Sequence, residues 1–591
     1  MKTVLKIMLV VVMLAIVGLI SAVISILVMS DSGTSPTISP TTETTKDKDK
    51  DKTGDDQADN NQDADNDTLP SDWETKYNLN PNDASDATAD GDSDGLNNLE
   101  EYKYNTIPDN SDTDGDGFKD GEEVKNGYDP RGTGKLSNST GETYHVASTG
   151  DDSAAGTQSA PWRTLQRAAD LTQAGDTVHV HEGVYNEEVA FKKSGTTSSP
   201  ITFMGATNET VVVKGSLVLE KDVANTNIKN LTIQDFKVWG VTLMGGNKEI
   251  NLSDLLIIGG ESGIHLTYGD SDKAPQGGSV SEITIENSTI KNPQYTAVDC
   301  TPGPCDDMTF RKLEITGSGL QGEDSYGADG IAVEKGKNIT VEQCYIHDNG
   351  GDGVDLNSRD REGNVSGIYV KRNRIVRNHK TGIKLWGGGK IENNAIWGQG
   401  FVPIMVGAFP GTYELLYNSI AYNMWDKSFS ARNYSLLAGY PNDDTDIPAQ
   451  IKLTLFNNIF AFNADSTEGG ATGIYLGENV NLINESNNIY YSRDDCEIEA
   501  NFINQADPCI GRGDISDGGW TEVSGQGDQN KGLDPKFMAG WKDVDLKLKA
   551  DSPAIDAGTS SQPVTIDIEG NERPEAYYPH DIGAYEYQNN Q

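Results

Sequence analysis

Three short stretches of this chain share one pattern: residues 328–334 read ADGIAVE, residues 349–357 read NGGDGVDLN and residues 380–386 read KTGIKLW. In each stretch a glycine precedes two aliphatic residues that flank one variable residue. Side chains alternate between the two faces of a β-strand, so the aliphatic pair points inward and the variable residue points outward. The pattern therefore predicts short strands that are buried on one face.

The same four-residue unit recurs elsewhere in the chain. Consecutive units between Gly240 and Gly382 begin 23 to 34 residues apart. This spacing is too short for a βαβ crossover but long enough for one coil of a parallel β-solenoid. The further units begin at Gly240, Gly263, Ala297 and Gly473.

A second repeated position carries asparagine in the later coils, namely Asn373, Asn394, Asn418, Asn458 and Asn488. Equivalent residues stack in a solenoid, so we predict a ladder in which each side-chain amide bonds to the next coil. Cys344 occupies the same column and is predicted to be a buried thiol. The pairs Cys300/Cys305 and Cys496/Cys509 are close enough in sequence to form local disulfides.

From Thr143 onward the chain resembles the right-handed parallel β-helix proteins. Its opening strand and the amphipathic segment 161–171 resemble their N-terminal strand and capping helix, and segments 552–558 and 581–587 resemble their usual ending. A cap is needed because an open coil would expose its backbone hydrogen-bonding groups. We therefore predict an all-β fold, a right-handed parallel β-helix over residues 143–588 with an N-terminal capping helix.

The N-terminal residues predict export. Residues 1–30 contain a long uncharged apolar run after Lys2 and Lys6, which predicts a signal peptide or a membrane anchor. Residues 31–69 are rich in Ser, Thr, Asp and Lys and predict a disordered linker. We expect a secreted or cell-surface protein, attached to the membrane if the first segment is retained, with Asn-x-Ser/Thr sequons as candidate glycosylation sites.

Two copies of D-x-D-x-D-G-x5-E lie 22 residues apart within residues 70–130. Alternating aspartates, a glycine at position 6 and a glutamate at position 12 supply the oxygen ligands and the sharp turn that calcium loops use. The segment resembles thrombospondin type 3 repeats, in which calcium is structural. The predicted ligands are Asp90, Asp92, Asp94 and Glu101 in the first loop, and Asp112, Asp114, Asp116 and Glu123 in the second.

The charge balance argues against nucleic acid as a partner. The chain has 47 Lys and Arg residues and 91 Asp and Glu residues, which gives a net charge of −44. The segment from Lys371 to Lys390 nevertheless holds seven basic residues and no acidic one. This island suits an acidic polysaccharide. We predict that Lys380 and Arg377 bind the substrate and that Trp386 stacks on a sugar ring. We expect the protein to be a monomer.

Four charged residues are expected to meet on adjacent coils: Asp329, Asp352, Asp355 and Lys384. Clustered carboxylates repel one another unless a cation joins them, and oxygen ligands on a rigid face suit calcium. The alternative is a solvated acidic surface with a lysine salt bridge.

The three opening stretches resemble the motif strands of the polysaccharide lyase family 9 pectate lyases. That resemblance implies that Asp329, Asp352 and Asp355 bind a catalytic calcium and that Lys384 is the Brønsted base. The family's adjacent pair of aspartates reads Gly351-Asp352 here, so one ligand is missing. Glu334 and Asn357 are the candidate replacements for it.

The function predicted from the sequence is that of an exported, calcium-dependent polysaccharide lyase that cleaves uronate polymers by β-elimination. One alternative is a β-helix hydrolase, with Asp352 and Asp355 as acid and base, or a C5-epimerase. The other is a surface adhesin or envelope protein that displays a β-helix without catalysis.

Overall fold

The structure is a computed structural model. It describes residues 65–588 except 66, 68, 70, 105, 116, 127–129, 132–140, 267–278, 302, 321–327, 358–364, 408, 424–432, 440–450, 462–470, 478–479, 492–497, 501–508, 511–528, 540–543, 562–563 and 575–577. The predicted anchor or signal segment 1–30, most of the predicted linker, Asp116 and Cys496 lie outside the described residues. Within the described ranges, no helix is both long and apolar enough to cross a membrane.

The chain divides into two compact units, Met1–Ala89 and Asp90–Gln591. The division falls inside the predicted segment 70–130. The first unit contains the helix Ser71–Lys76 and the 3-10 turn Asp86–Thr88. The second begins with the helices Asn98–Tyr104 and Asp120–Asn126 and continues into the long array of strands.

Three long sheets make up this array, and each coil contributes one strand to sheet A, then to sheet B, then to sheet C. The strands are parallel within every sheet, except for the last pair of sheet C. Sheet A has 13 strands: Thr143–Val146, Thr177–Val180, Ile201–Gly205, Ala224–Lys229, Lys248–Ser253, Val280–Glu286, Cys305–Arg311, Ile339–Glu342, Ile368–Lys371, Gly389–Glu392, Gly411–Leu416, Ile451–Phe456 and Val480–Ser486.

Sheet B has 12 strands: Gly183–Tyr185, Val211–Lys214, Thr232–Gln234, Leu256–Ile258, Thr289–Lys291, Glu314–Thr316, Tyr345–His347, Arg374–Val376, Ala395–Trp397, Ser419–Ala421, Ile459–Ala461 and Ile489–Tyr491. Sheet C has 13 strands: Val189–Phe191, Leu217–Leu219, Trp239–Leu243, Ser262–Leu266, Val298–Cys300, Ile331–Val333, Val354–Leu356, Ile383–Leu385, Ile404–Val406, Asn433–Ala438, Ala471–Leu476, Ile498–Ala500 and Cys509–Ile510.

The remaining described strands form two small sheets. One pairs Gly336–Lys337 with Val365–Ser366, and the other pairs Phe537–Ala539 with Asp545–Leu548. The predicted right-handed parallel β-helix is confirmed. The expected capping helix is Leu165–Leu171, which begins after Thr164, whose side chain accepts a hydrogen bond from the Arg167 N–H.

The core of the β-helix is a stack of aliphatic side chains from all three sheets. In one coil, Val341 of sheet A, Ile346 of sheet B and Val354 of sheet C are each fully buried and belong to one continuous cluster. Burying a side chain of this size contributes about 1.5–3 kcal/mol. A single coil is too thin to bury such residues alone, so the neighbouring coils complete the core.

The predicted asparagine ladder is present inside the turn between sheets A and B. Asn394 Oδ1 accepts hydrogen bonds from the backbone N–H and from Nδ2 of Asn373, both at 3.0 Å. Asn394 donates in the same way to Asn418, and the pattern continues to Asn488. These buried amides are therefore satisfied by one another.

A second amide ladder, which the sequence reasoning missed, lies in the turn between sheets B and C. Asn349, Asn378, Gln399 and Asn423 are all buried, and each of the last three receives hydrogen bonds from the residue one coil before it. A sequence signal existed, because Asn349 and Asn378 each stand three residues before a turn residue that leads into sheet C. This ladder holds the turn from which the candidate site projects.

The cysteines agree with the predictions where they are described. Cys300 and Cys305 form a disulfide. Cys344 is a buried thiol, and burial raises its pKa to about 12. Cys509 is paired in the prediction with Cys496, which the structure does not describe.

Candidate functional site

The three strands Ile331–Val333, Val354–Leu356 and Ile383–Leu385 are adjacent in sheet C and are called the motif strands below. Their register sets Ala332 beside Asp355, and Asp355 beside Lys384, as predicted. These residues belong to an outward-facing line called the strand column: Thr242, His265, Asp299, Ala332, Asp355, Lys384 and Met405.

A second line of residues, called the corner column, runs beside the strand column where each coil enters sheet C. Its members are Trp239, Ser262, Thr296, Asp329, Asp352 and Thr381. Asp329 Oδ1 accepts the Asp352 N–H at 2.7 Å, and Asp352 Oδ1 accepts the Thr381 N–H at 2.7 Å. Each of these carboxylates is therefore fixed by the backbone of the next coil.

Asp329, Asp352 and Asp355 converge as the sequence predicted. One oxygen from each of them lies within 4.8 Å of the others. Lys384 Nζ lies 3.3 Å from Asp355 Oδ2 and 3.5 Å from Asp352 Oδ2. Asp329 is 8% exposed and Asp352 is 5% exposed, so the cluster is largely withdrawn from water.

Burial governs the protonation of this cluster in the absence of a cation. Burial raises the pKa of Asp355 to about 7, with Lys384 lowering it and Asp352 raising it further. Burial, followed by the charges of Asp352 and Asp355, raises the pKa of Asp329 well above its ordinary value. Burial by itself would lower the pKa of Lys384, but the attraction of the three carboxylates outweighs it and the pKa is raised.

Gly351 stands where the resemblance would place a further aspartate. A Cβ atom at this position would lie 2.3 Å from Asp329 Oδ1 and 2.7 Å from the carbonyl carbon of Ala328. The Gly351 N–H also donates to the Ala328 carbonyl at 2.9 Å, so the backbone is held in this close approach. The local geometry therefore excludes a side chain here unless its surroundings move.

Of the two candidate replacement ligands, Asn357 is in contact with the cluster. Its Nδ2 lies 2.7 and 2.8 Å from the two carboxylate oxygens of Asp355. Rotation of the amide about its last bond would present Oδ1 in the same place. Glu334 is buried directly after the first motif strand, and its N–H donates to the Cys300 carbonyl.

The basic island of the sequence is distributed over all three sheets. Arg377 follows a strand of sheet B and forms a bidentate pair with Asp348, with both N–O distances at 2.7 Å. Lys380 lies at the entrance to sheet C, where its N–H donates to the Gly351 carbonyl. Other members of the island pair with acidic residues elsewhere: Lys371 and Arg372 with Glu342, Lys390 with Glu392 and Glu414, and Arg374 with Glu569.

The seven basic residues of the island therefore do not form one surface, because a segment of this length wraps around a whole coil. Arg377 is engaged by Asp348, whereas Lys384 contacts the carboxylates of Asp352 and Asp355. Trp386 directly follows the third motif strand, and Lys384 Nζ lies 5.1 Å from the centre of its ring. Trp386 is half-buried and has the ring of Phe409 at 6.1 Å on its edge.

Three of the four predicted ligands of the first calcium loop lie close together. Oxygens of Asp90, Asp92 and Asp94 lie within 4.8 Å of one another. Glu101 is fully buried, and within the described ranges neither of its carboxylate oxygens has a hydrogen-bond partner. Burial, followed by the charges of Asp92 and Asp94, raises its pKa to about 8. A buried carboxylate without a partner fits a cation ligand.

The second loop is described except for Asp116. The carboxylate of Asp112 accepts the N–H groups of Gly115 and Gly117 at 2.9 and 3.0 Å. Glu123 is buried, and Asp114 directly precedes Gly115 in the loop. The loop thus has the turn that the sequence predicts for calcium.

Two features of the acidic segments were missed by sequence reasoning. Asp120 has a pKa raised by burial, and its charge also acts on Glu101 of the first loop. Asp65, Asp67 and Glu74 form a further group with oxygens within 4.8 Å. They follow the same D-x-D-x6-E spacing as the later loops, but Thr68 occupies the position of the loop glycine, so the strict pattern does not match.

Known proteins resemble this chain mainly in its β-helix. Residues 144–299 match the family model described as Pel9A-like, right handed beta helix region. The predicted resemblance to these β-helix proteins is confirmed there, and the match ends before Asp329. The resemblance of residues 70–130 to thrombospondin type 3 repeats stays a prediction.

Two curated proteins are similar in sequence. "Uncharacterized protein YwoF" of Bacillus subtilis is 26% identical over 304 residues, covering 42% of this chain and 65% of that protein. "Pectate lyase PEL9" of Emericella nidulans is 25% identical over 268 residues, covering 44% of this chain and 57% of that protein. The chain spans less than two thirds of the length of each of these relatives.

Among solved structures, pectate lyase Pel9A aligns with a TM-score of 0.33 and 16% identity, over 76% of this chain and 97% of that one. XylC in complex with xylose aligns with a TM-score of 0.41 and 13% identity, over 76% of this chain and 98% of that one.

Proposed function

We propose that this protein is an exported, calcium-dependent polysaccharide lyase that cleaves uronate polymers of the pectate type by β-elimination. The observation that carries the proposal is the meeting of Asp329, Asp352, Asp355 and Lys384 on adjacent coils. The sequence similarity to a curated pectate lyase supports it. Export rests on the sequence of residues 1–30.

The carboxylate cluster fits calcium by its donor set. Three carboxylates lie within 4.8 Å, and the amide of Asn357 stands beside them. The raised pKa values of Asp329 and Asp355 mean that burial and repulsion disfavour their charged forms, a cost that a cation would offset. Asp329, Asp352 and Asp355 would hold the ion, which when bound would acidify the C5 proton of a uronate by drawing charge from its carboxylate.

In this proposal Lys384 acts as the base. Its Nζ projects from the outward column and is held by Asp355 and Asp352. In the elimination, Nζ takes the proton from C5, and the electrons of that bond form the C4–C5 double bond. The C4–O bond breaks with its electron pair passing to the oxygen of the leaving sugar, which takes up a proton from solvent. The amine must be neutral to accept the proton, so compensation of the three carboxylate charges favours the reactive form.

This arrangement predicts that elimination requires calcium and rises towards alkaline pH. The carboxylates raise the pKa of Lys384, so the amine stays protonated near neutral pH until their charge is compensated. The measurement is the absorbance of the unsaturated product end on uronate polymers, as a function of calcium and pH.

The decisive variants are Lys384→Ala and Lys384→Arg. Both should abolish formation of the unsaturated end, because alanine has no base and a guanidinium is effectively never deprotonated. Lys371→Ala is the matched control, since Lys371 pairs with Glu342 on sheet A and should leave the activity unchanged. Unsaturated product from Lys384→Ala at the parent rate would refute the mechanism.

A β-helix hydrolase is the second candidate, and one observation favours it. The pKa of Asp355 is raised to about 7 beside Asp352, which suits Asp355 to act as a proton donor opposite a carboxylate acceptor. The same assay distinguishes the two functions, because hydrolysis releases new reducing ends without the ultraviolet absorbance. Parent protein that yields neither product on any uronate polymer with calcium would favour the non-catalytic adhesin.

A further inference from the structure

We propose that Trp239, His265 and Asp299 form a sugar-binding subsite on the N-terminal side of the carboxylate cluster. The subsite would bind a distant sugar residue of the same acidic polysaccharide chain that reaches Lys384. The inference therefore rests on the proposed function and deepens it.

These three side chains form a packed group on the surface of sheet C. The indole of Trp239 stacks on the imidazole of His265 with ring centroids 4.3 Å apart and planes at 10°. His265 Nδ1 lies 3.2 Å from Asp299 Oδ2, and Asp299 Oδ1 accepts the Thr301 hydroxyl at 2.6 Å. The aspartate is thus fixed by Thr301 and in turn fixes the imidazole.

The contact with Asp299 leaves the second ring nitrogen of His265, Nε2, for another partner. When Nδ1 donates to Asp299, Nε2 on the opposite side of the ring is the free hydrogen-bonding atom of His265. Among the described residues, His265 stacks on Trp239 and its side chain hydrogen-bonds to Asp299. Trp239 is 36% exposed and His265 is 8% exposed, so an exposed apolar ring lies beside a largely buried imidazole. Sugars offer partners for both, with C–H faces for aromatic rings and hydroxyls for polar groups.

The position of the group connects it to the candidate active site. Trp239 stands in the corner column three coils before Asp329, and His265 stands in the strand column three coils before Asp355. Adjacent parallel strands are about 4.8 Å apart, so three coils span about 14 Å, or about three sugar residues of an extended chain. Ala332, between Asp299 and Asp355, adds a short side chain to this path.

Sheet B carries a chemically similar group of side chains that lies outside the candidate site. On sheet B, the ring of Tyr345 stacks on His347 at 3.9 Å, and His347 Nδ1 lies 2.6 Å from Asp348 Oδ2. Tyr345 is 37% exposed, nearly the same fraction as Trp239 on sheet C. It belongs to neither column of the site, which makes Tyr345→Ala a matched control.

The test measures calorimetric binding of short and long uronate oligomers to the full chain with calcium, in a Lys384→Ala background that prevents turnover. Trp239→Ala should weaken binding of a hexamer about tenfold and leave a dimer unchanged, since a dimer is too short to reach from Lys384 to Trp239. His265→Gln should weaken the hexamer in the same direction. Tyr345→Ala should change neither affinity, and thermal unfolding midpoints confirm that each variant is folded.

Hexamer binding that is unchanged by both Trp239→Ala and His265→Gln would overturn the subsite and leave the proposed function intact. An equal loss in Tyr345→Ala would also overturn it, because the effect would then not depend on the columns. If the Lys384→Ala protein binds no uronate oligomer of either length with calcium, the proposed function fails and the subsite fails with it.

Discussion

Replacing Asp355 by asparagine should stabilise the calcium-free protein at alkaline pH relative to the parent. In the folded state burial raises the pKa of Asp355 from 3.8 to about 7. Such a group contributes stability that is present below its unfolded pKa and is lost as pH rises through its folded pKa. A shift of about three pKa units corresponds to about 4 kcal/mol, which is the largest penalty that ionising Asp355 can impose at alkaline pH.

Asparagine has nearly the same shape and does not ionise, so Asp355→Asn lacks this penalty. With a chelator present, the unfolding free energy of the variant relative to the parent should rise between about pH 4 and about pH 8, by up to about 4 kcal/mol. With calcium the order should reverse, because the parent gains a ligand that the variant lacks. The assay is thermal unfolding of both proteins at several pH values, with chelator and with calcium.

Asp348→Asn is a control for which the change in stability with pH should have the opposite direction. Burial acts to raise the pKa of Asp348, but hydrogen bonds from Arg377 and His347 outweigh it and the pKa is lowered. Its contribution is therefore present at neutral pH and is lost on acidification, so this variant should be less stable than the parent at about pH 8 and approach it in acid. A relative stability of Asp355→Asn that stays constant or falls over the same pH range with chelator would refute the reasoning.

Three further predictions concern the calcium loops, the glycine turn and the ladder. Chelation should expose residues 84–130 to protease while the β-helix stays folded, and Glu101→Gln should weaken calcium binding at least about tenfold; equal proteolysis with and without chelator would contradict this. Gly351→Ala should lower both the thermal midpoint and the calcium affinity, because its Cβ would press on Asp329; an unchanged midpoint would show that the turn can relax. Asn394→Ala should cost about 3 kcal/mol in unfolding experiments, since it leaves buried ladder groups unpaired, and a loss below about 1 kcal/mol would mean that water replaces the amide.

The β-helix and the register of its outer face can be predicted from the amino-acid sequence alone. Each coil repeats one local rule, a small residue and two inward aliphatic residues, and contacts mainly its neighbouring coils. Because side chains alternate along a strand, the position of Asp355 and Lys384 on one outward column follows from their place between the aliphatic residues. The asparagine ladder follows from the same repeat.

The ionisation of the clustered residues and the contacts outside the motif strands depend on the tertiary structure. The basic run from Lys371 to Lys390 winds around all three faces, so closeness in sequence did not make one surface. His265 and Asp299 follow from the repeat, but the stack of Trp239 on His265 depends on the folded turn before sheet C. The pKa shifts of Asp355 and Lys384 depend on burial and on the balance of neighbouring charges, and both are properties of the folded coil rather than of any segment of the chain.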